Sequence, residues 1–132
     1  MVNILFVCQE NACRSQMAEA FARYYGKGVV NAASAGSRSR GYVDTGAKSV
    51  MAECGISLDD HESKGLEALP VQQWDVVIGM GCGNACPQVD AVEHLEWNIP
   101  DPVGEPPARY RAVRDLIDTH VKALVHRWRS GS

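Results

Sequence analysis

The chain has 132 residues, of which 45% are hydrophobic and 22% are charged, and its formal net charge is −3. This composition is typical of a folded domain and excludes a largely disordered chain. The slight acidic excess disfavours general nucleic-acid binding, which requires a basic surface, and no apolar run is long enough to span a bilayer. We therefore expect one domain over residues 1–132, monomeric and cytoplasmic, with no signal peptide and with neither nucleic acid nor membrane as a partner.

Strand-type and helix-type patterns alternate along the chain. Short apolar runs predict strands at 2–7, 29–35 and 74–80, with a weaker one at 94–97. Apolar residues at helical spacing predict helices at 15–25 and 45–54 and a long helix from Ala108 onward. Such alternation implies an α/β fold with a parallel sheet, whose functional site lies at the carboxyl ends of the strands.

Several large or sulfur-bearing side chains are predicted to belong to the hydrophobic core. Cys54 and Leu116 fall on the apolar faces of two predicted helices. The three tryptophans are predicted to be core anchors, and they are Trp74, Trp97 and Trp128. These are packing roles, so none of the five is a candidate for the functional site.

The cysteines need an explanation other than disulfide staples, because a chain of this length can bury a core without them. Five are present, at Cys8, Cys13, Cys54, Cys82 and Cys86. An odd number of cysteines without a secretion signal indicates a reducing compartment. There, neighbouring thiols are more often catalytic or metal-binding than structural.

The segment after the first strand has the pattern of an oxyanion-binding loop. A cysteine at the end of the strand is followed by five residues and then by Arg14 and Ser15, which enter a helix. Backbone N–H groups of such a loop converge on one point, where the helix dipole adds positive potential. Arg14 would clamp a tetrahedral oxyanion through two hydrogen bonds, and the same field, with Ser15, would favour a Cys8 thiolate. The predicted loop consists of Cys8, Gln9, Glu10, Asn11, Ala12, Cys13 and Arg14.

With this loop the sequence resembles the low-molecular-weight protein tyrosine phosphatase superfamily, which includes the thioredoxin-coupled arsenate reductases. The likeness covers nearly the whole chain and continues through the segments 15–20, 34–36, 53–56, 61–64 and 101–102. It implies a flavodoxin-like three-layer sandwich with a four-stranded parallel sheet flanked by helices. It also implies that Cys8 is the nucleophile and that Arg14 binds the oxyanion.

The resemblance assigns supporting roles to residues outside the loop. It makes Asp101 the acid that protonates a leaving group, as a carboxylic acid facing the thiolate can do. It also implies that the segment 61–64, which contains His61, packs beside the loop and hydrogen-bonds Asn11. His61 and Ser34 are therefore expected to support the strained loop backbone from behind.

Two further cysteines follow the third predicted strand and would lie at the same sheet edge as Cys8. If residues 82–86 formed one helical turn, the Cα atoms of Cys82 and Cys86 would lie roughly 6 Å apart, within disulfide reach. We expect Cys8 to attack arsenate, Cys82 to attack the Cys8 sulfur and release arsenite, and Cys86 to resolve the disulfide. Thioredoxin, or else glutaredoxin or another small thiol, would reduce the Cys82–Cys86 disulfide, and no bound cofactor is expected.

The alternative within the same superfamily is a phosphatase that hydrolyses phosphomonoesters through a phosphocysteine at Cys8. Such an enzyme has no use for two extra thiols. In addition, Val103 and Gly104 stand where phosphatases of the family often have aromatic residues that grip a phenyl ring. The expected ligand is therefore an arsenate or phosphate oxyanion, with arsenate as the favoured substrate.

Two kinds of metal site have partial support in the sequence. A zinc module could use Cys82, Cys86 and His94, but a fourth ligand at a recognised spacing is wanting. Three residues match the potassium site of some arsenate reductases, and they are Asn11, Glu19 and Ser34. Lys64 stands where those proteins have a carboxylate and can supply the positive charge itself, so we predict no bound metal.

Overall fold

The computed structural model describes residues 1–36, 38–65, 68–69, 73–81 and 89–130. The strands are β1 (Val2–Cys8), β2 (Val30–Gly36), β3 (Trp74–Gly79) and β4 (Ala91–Glu96). The helices are α1 (Arg14–Tyr25), α2 (Thr45–Ala52) and α3 (Pro107–Ser130). No helix within these ranges is long and apolar enough to cross a membrane.

The four strands form one parallel sheet in the order β2-β1-β3-β4. β1 is central because its apolar run can be buried on both faces, as parallel sheets require. Cys8 pairs with Gly36, and Val7 pairs with Gly79, so the carboxyl ends of β1, β2 and β3 meet at one edge. The predicted α/β fold with a four-stranded parallel sheet is confirmed, and its site edge is the one that carries Cys8.

Alternate side chains of β1 belong to two apolar clusters. Ile4 and Phe6 join a large cluster to which all three helices contribute, whereas Leu5 and Val7 join a smaller cluster on the opposite face. Each large side chain buried in this way contributes about 1.5–3 kcal/mol, which fixes the register of the strand. By the same alternation Cys8 belongs to the large cluster, on the face covered by α1.

Two predicted core residues are exposed, and both predictions were wrong. α2 ends at Ala52, and the chain then turns, with Cys54 N donating to Met51 O. Cys54 therefore lies beyond the last helical residue and is exposed. Leu116 lies on α3 but at the margin of its apolar face, and 38% of its surface is accessible. Of the tryptophans, Trp74 is buried, while the other two are partly buried against the large cluster.

β4 extends further toward its N-terminus than the predicted strand at 94–97. It is an edge strand in which every second side chain is exposed, among them Val92 and His94. A strand that buries one face gives an alternating pattern instead of a continuous apolar run. This is why only its last apolar residues were recognised.

Candidate functional site

Cys8 ends β1 directly in front of the first turn of α1. Its side chain is buried, and its Sγ lies 2.8 Å from Ser15 Oγ. Ser15 Oγ also accepts a hydrogen bond from Asn11 Nδ2 at 2.8 Å, and an amide nitrogen can only donate. The hydroxyl proton of Ser15 is therefore available to Cys8 Sγ, where it would stabilise a negative charge on sulfur.

The loop between Cys8 and α1 is held from outside through its carbonyl groups. Three of these accept hydrogen bonds from backbone N–H groups of the segment after β2, at 2.7, 3.0 and 2.8 Å. The pairs, donor first, are Arg38 to Gln9, Arg40 to Glu10 and Asp44 to Ala12. Gly36 permits this close packing, because a Cβ there would lie 2.8 Å from Asn11 N and Gln9 O. These three hydrogen bonds fix the loop backbone against the segment after β2.

The N-terminus of α1 is open to a ligand. Its N-cap residue, Cys13, makes no side-chain capping hydrogen bond, and the first turn contains no acidic residue. The N–H groups of a first helical turn have no partner within the helix and carry partial positive charge. An oxyanion beside Cys8 would satisfy them.

Arg14, the first residue of α1, is almost fully buried at the rim of the loop. Its Nη1 donates to Ile99 O at 3.1 Å, and its Nη2 lies 3.9 Å from Asp101 Oδ2. Gly81 is packed against the same guanidinium, since a Cβ on Gly81 would lie 2.6 Å from Arg14 Nη1. Arg14 is thereby fixed between the end of β3 and the segment after β4.

Asp101 faces Arg14 across a small cavity over the Cys8 thiol. Its side chain is 47% exposed, and its Oδ1 accepts a hydrogen bond from Val103 N at 3.1 Å. The cavity is lined by Cys8, Glu10, Ala12, Cys13, Arg14, Asp101 and Val103. A thiol, a guanidinium and a carboxyl group thus border one space, which suits nucleophilic attack on an oxyanion with proton donation to the departing oxygen.

Asn11 has a left-handed backbone, with φ of 50°, which asparagine tolerates better than most residues. Its side-chain oxygen accepts hydrogen bonds from Lys64 N at 2.8 Å and from Gln16 Nε2 at 3.0 Å. Gln16 Nε2 also lies 3.0 Å from Asn11 O. The strained residue is therefore tied both to α1 and to the segment 61–64.

His61 is connected to Asn11 through the side chain of Gln16. Its ring does not bond Asn11; Nδ1 lies 2.9 Å from Gln16 Oε1, and this oxygen can only accept, so Nδ1 carries the proton. The contact from this segment to Asn11 comes from Lys64 N instead. Burial lowers the pKa of His61, with Glu19 opposing the effect.

Glu19, a residue of α1, is buried behind the loop next to Ser34, which was predicted to support the loop. Ser34 donates a hydrogen bond to Glu19 Oε1. The other carboxylate oxygen pairs with Arg23 Nη2 at 2.7 Å and lies 3.9 Å from His61 Nδ1. A protein arginine therefore already balances the charge of this buried carboxylate.

Cys13 is the second thiol of the loop, and its environment opposes ionisation. Burial raises its pKa strongly, and the carboxylates of Asp44 and Asp101 act in the same direction. It is thus a poor nucleophile at neutral pH.

The structure brings most of the predicted site residues together. Cys8, Arg14 and Asp101 line the cavity, and Ser15 contacts Cys8 Sγ. Cys82 and Cys86, both for the predicted relay and for the rival zinc module, lie outside the described residues. His94, the third candidate zinc ligand, is exposed on β4, with Nε2 2.9 Å from Val89 O. In the described ranges no three His, Cys, Asp or Glu side chains are grouped closely enough to hold a metal ion.

Sequence reasoning missed two residues that shape the site. Gln16 is fully buried and connects Asn11 to His61. A polar residue on the apolar side of a predicted helix, next to Ser15, was the available signal. Gly81 is the second such residue, because the structure makes it a packing partner of Arg14.

Comparison with known proteins gives consistent matches over the whole chain. Residues 3–130 match the family model described as low molecular weight phosphotyrosine protein phosphatase. A glutaredoxin arsenate reductase of Synechocystis sp. is 34% identical over 128 residues, which cover 95% of this chain and 97% of the relative. A solved arsenate reductase in its phosphate-binding state superposes with a TM-score of 0.89 at 34% identity, covering 97% of this chain and 99% of that one. A thioredoxin-dependent arsenate reductase of Corynebacterium glutamicum superposes with a TM-score of 0.82 at 28% identity, covering 100% of this chain and 64% of that one.

Proposed function

Since this chain belongs to the low molecular weight phosphotyrosine protein phosphatase family, we propose that it is an arsenate reductase with Cys8 as the attacking thiol. The observation that carries the proposal is the similarity to arsenate reductases along nearly the full length of the chain. The site adds a reason from chemistry, because the buried Cys8 sulfur lies beside a hydroxyl donor and at an open helix N-terminus.

The first step is attack of the Cys8 thiolate on arsenate. An S–As bond forms, and one As–O bond breaks as Asp101 gives its proton to the departing oxygen, which leaves as water. Arg14 and the loop N–H groups bind the remaining oxygens, whose charge they offset. Arsenic is still As(V) at this stage.

The second step transfers two electrons to arsenic. The Cys82 thiolate attacks Cys8 Sγ, forming a disulfide, and the electron pair of the S–As bond stays on arsenic, which departs as arsenite. Cys86 then attacks Cys82, forming the Cys82–Cys86 disulfide and releasing the Cys8 thiolate. Gly81 precedes Cys82 in sequence and touches Arg14, which supports entry of the relay segment at the site.

A thiol protein would close the cycle by reducing the Cys82–Cys86 disulfide. The names of the relatives include both a glutaredoxin and a thioredoxin donor. We propose thioredoxin, because an intramolecular disulfide is the form that a dithiol reduces by direct exchange. This donor also places the protein in the cytoplasm, where thioredoxin is kept reduced.

The decisive experiment follows arsenate-dependent NADPH oxidation in the presence of thioredoxin and thioredoxin reductase, beside hydrolysis of an aryl phosphate. Cys8→Ser is expected to lose both activities. Cys82→Ser and Cys86→Ser are expected to lose turnover with arsenate and to keep any ester hydrolysis. Cys54→Ser is the matched control, because Cys54 is an exposed thiol beyond the end of α2. Retention of thioredoxin-coupled turnover in Cys82→Ser would contradict the relay.

A phosphomonoesterase is the second candidate, favoured by the family itself and by Asp101 at 3.9 Å from Arg14. In that case water would cleave the phosphocysteine and the additional thiols would be idle. Ester hydrolysis without any arsenate-dependent NADPH oxidation would establish this alternative.

A further inference from the structure

Glu10 borders two spaces at the surface of the site. It lines the small cavity over Cys8. It also lines a wider, polar cleft of about 450 Å³. The cleft is bounded by Gln9, Glu10, Arg38, Ser39 and Arg40. Glu10 therefore borders both the cavity over the thiol and a larger open space.

The Glu10 side chain is held in place by Arg40. Arg40 Nη2 donates to Oε1 at 2.6 Å and Nε lies 3.3 Å from Oε2, so both oxygens of the carboxylate are engaged. The guanidinium lies over the ring of Tyr42, with 5.5 Å from Cζ to the centroid. The Glu10 side chain is 40% exposed, so the ion pair, more than burial, determines where it lies.

The position of Glu10 affects how large a ligand the cavity over Cys8 can hold. An inorganic oxyanion places only oxygen atoms in the cavity, whereas a phosphomonoester carries an organic group on one oxygen. With the other oxygens at the loop and Arg14, that group must leave between Glu10 and the opposite wall, which is formed by Asp101 and Val103. Moving Glu10 aside would join the cavity to the cleft and provide room for it.

We infer that Glu10, held by Arg40, is a specificity-determining residue that selects bare oxyanions over organic phosphomonoesters. The inference deepens the proposed function, on which it rests, because arsenate is such an oxyanion. The ion pair is partly exposed and connects two loop residues. It can therefore be removed without opening the core.

The test measures equilibrium binding of two probes, inorganic phosphate and phenylphosphonate, to the full chain by calorimetry. Phenylphosphonate has the tetrahedral head group with a ring attached and no bond that the enzyme can hydrolyse. In Glu10→Ala the ratio of phenylphosphonate affinity to phosphate affinity is expected to rise about tenfold, as for other changes of pocket size. Arg40→Ala is expected to raise it several-fold, because the carboxylate remains but is no longer held.

Glu53→Ala and Arg111→Ala are matched controls. Glu53, the residue that follows α2, and Arg111 on α3 form a similar two-point ion pair, with Glu53 39% exposed. Their ratio is expected to equal that of the wild type, and thermal unfolding verifies that all variants are folded. An unchanged ratio in Glu10→Ala would overturn the inference, and a shift in Glu10→Ala alone would overturn the role of Arg40.

These outcomes are independent of the outcome for the proposed function. The binding ratio involves no turnover, no thioredoxin and no second cysteine. If the protein reduces arsenate but Glu10→Ala leaves the binding ratio unchanged, only the proposed role of Glu10 is refuted. If the ratio changes but the protein does not reduce arsenate, only the proposed reductase activity is refuted.

Discussion

The N-termini of α1 and α2 are joined through the oxyanion loop, yet they are completed in opposite ways. α1 follows Cys13, which supplies no capping side chain. α2 follows Asp44, whose Oδ2 accepts a hydrogen bond from Ala47 N at 3.2 Å and another from the Tyr110 hydroxyl at 2.7 Å. The backbone N–H of Asp44 in turn holds Ala12 O at 2.8 Å.

In this contrast, the capped N-terminus of α2 contributes to stability, whereas the uncapped N-terminus of α1 is available to a ligand. Both helices present N–H groups with partial positive charge. In α2 the carboxylate of Asp44 neutralises that charge internally, and the gain is stability. In α1 the charge is left uncapped and Arg14 is added beside it. Of the two N-termini, the uncapped one is therefore the one that we propose as the anion site.

The largest expected effect is a loss of phosphate affinity when Arg14 is displaced at the uncapped N-terminus of α1. In Gly81→Ala the new Cβ would lie 2.6 Å from Arg14 Nη1, so the guanidinium must move. Phosphate affinity is expected to fall by roughly 2 kcal/mol or more, about 30-fold, which is typical for loss of one buried charged partner. Calorimetric titration with phosphate measures this directly.

Gly28→Ala is the control for backbone strain. Gly28 has φ of 83°, close to the 86° of Gly81, but among the described residues nothing lies within 4 Å of a Cβ placed there. Both variants should lose about 1–2 kcal/mol of stability from the left-handed backbone. Only Gly81→Ala should lose phosphate affinity, and equal affinities would show that Arg14 is not held by Gly81.

The next effect comes from making the N-terminus of α1 resemble that of α2. Cys13→Asp places a carboxylate at the N-cap of α1, whereas Cys13→Asn is a neutral side chain of the same size. Because the added charge lies beside the bound anion, Cys13→Asp is expected to bind phosphate about tenfold more weakly than Cys13→Asn. Binding at pH 8 measures the difference, and equal affinities would refute an electrostatic role for the uncapped end.

The hydrophobic pattern of the sequence was sufficient to predict the elements that follow one another directly along the chain, such as β1, the loop and α1. The run before Cys8 is buried on both faces, and the loop leads directly into α1. β4 was recognised only in part, because Val92 and His94 are exposed at the sheet edge. Cys54 was misplaced because periodicity does not show that the helix ends at Ala52.

The contacts that hold the site are harder to predict, because they join residues distant in the chain. Gly81 and Arg14 meet only because β3 pairs with β1. The Asp44–Tyr110 hydrogen bond requires α3 to pack on the start of α2. A single sequence gives the residue types in such a site, but the pairings follow from strand order and helix packing.

A smaller effect is expected at the capped end. Asp44→Ala removes the cap of α2 and the acceptor of the Tyr110 hydroxyl, so the free energy of unfolding should fall by about 1–2 kcal/mol. Tyr110→Phe removes only the second bond and should cost less. Urea unfolding of both variants gives the order, and a wild-type midpoint for Asp44→Ala would mean that α2 does not depend on its cap.

The smallest effect is expected for the pH dependence of stability, which involves His61 behind the loop and its hydrogen bond to Gln16. Burial lowers the pKa of His61 in the folded protein, so the unfolded chain takes up a proton first as the pH falls. Stability is therefore lost as the pH falls below the ordinary histidine value of about 6.5. His61→Gln can still donate to Gln16 Oε1 but cannot titrate, so its free energy of unfolding should decline less than that of the wild type between about pH 6.5 and 5. Urea unfolding at a series of pH values tests this, and parallel profiles would show that His61 binds its proton equally in both states.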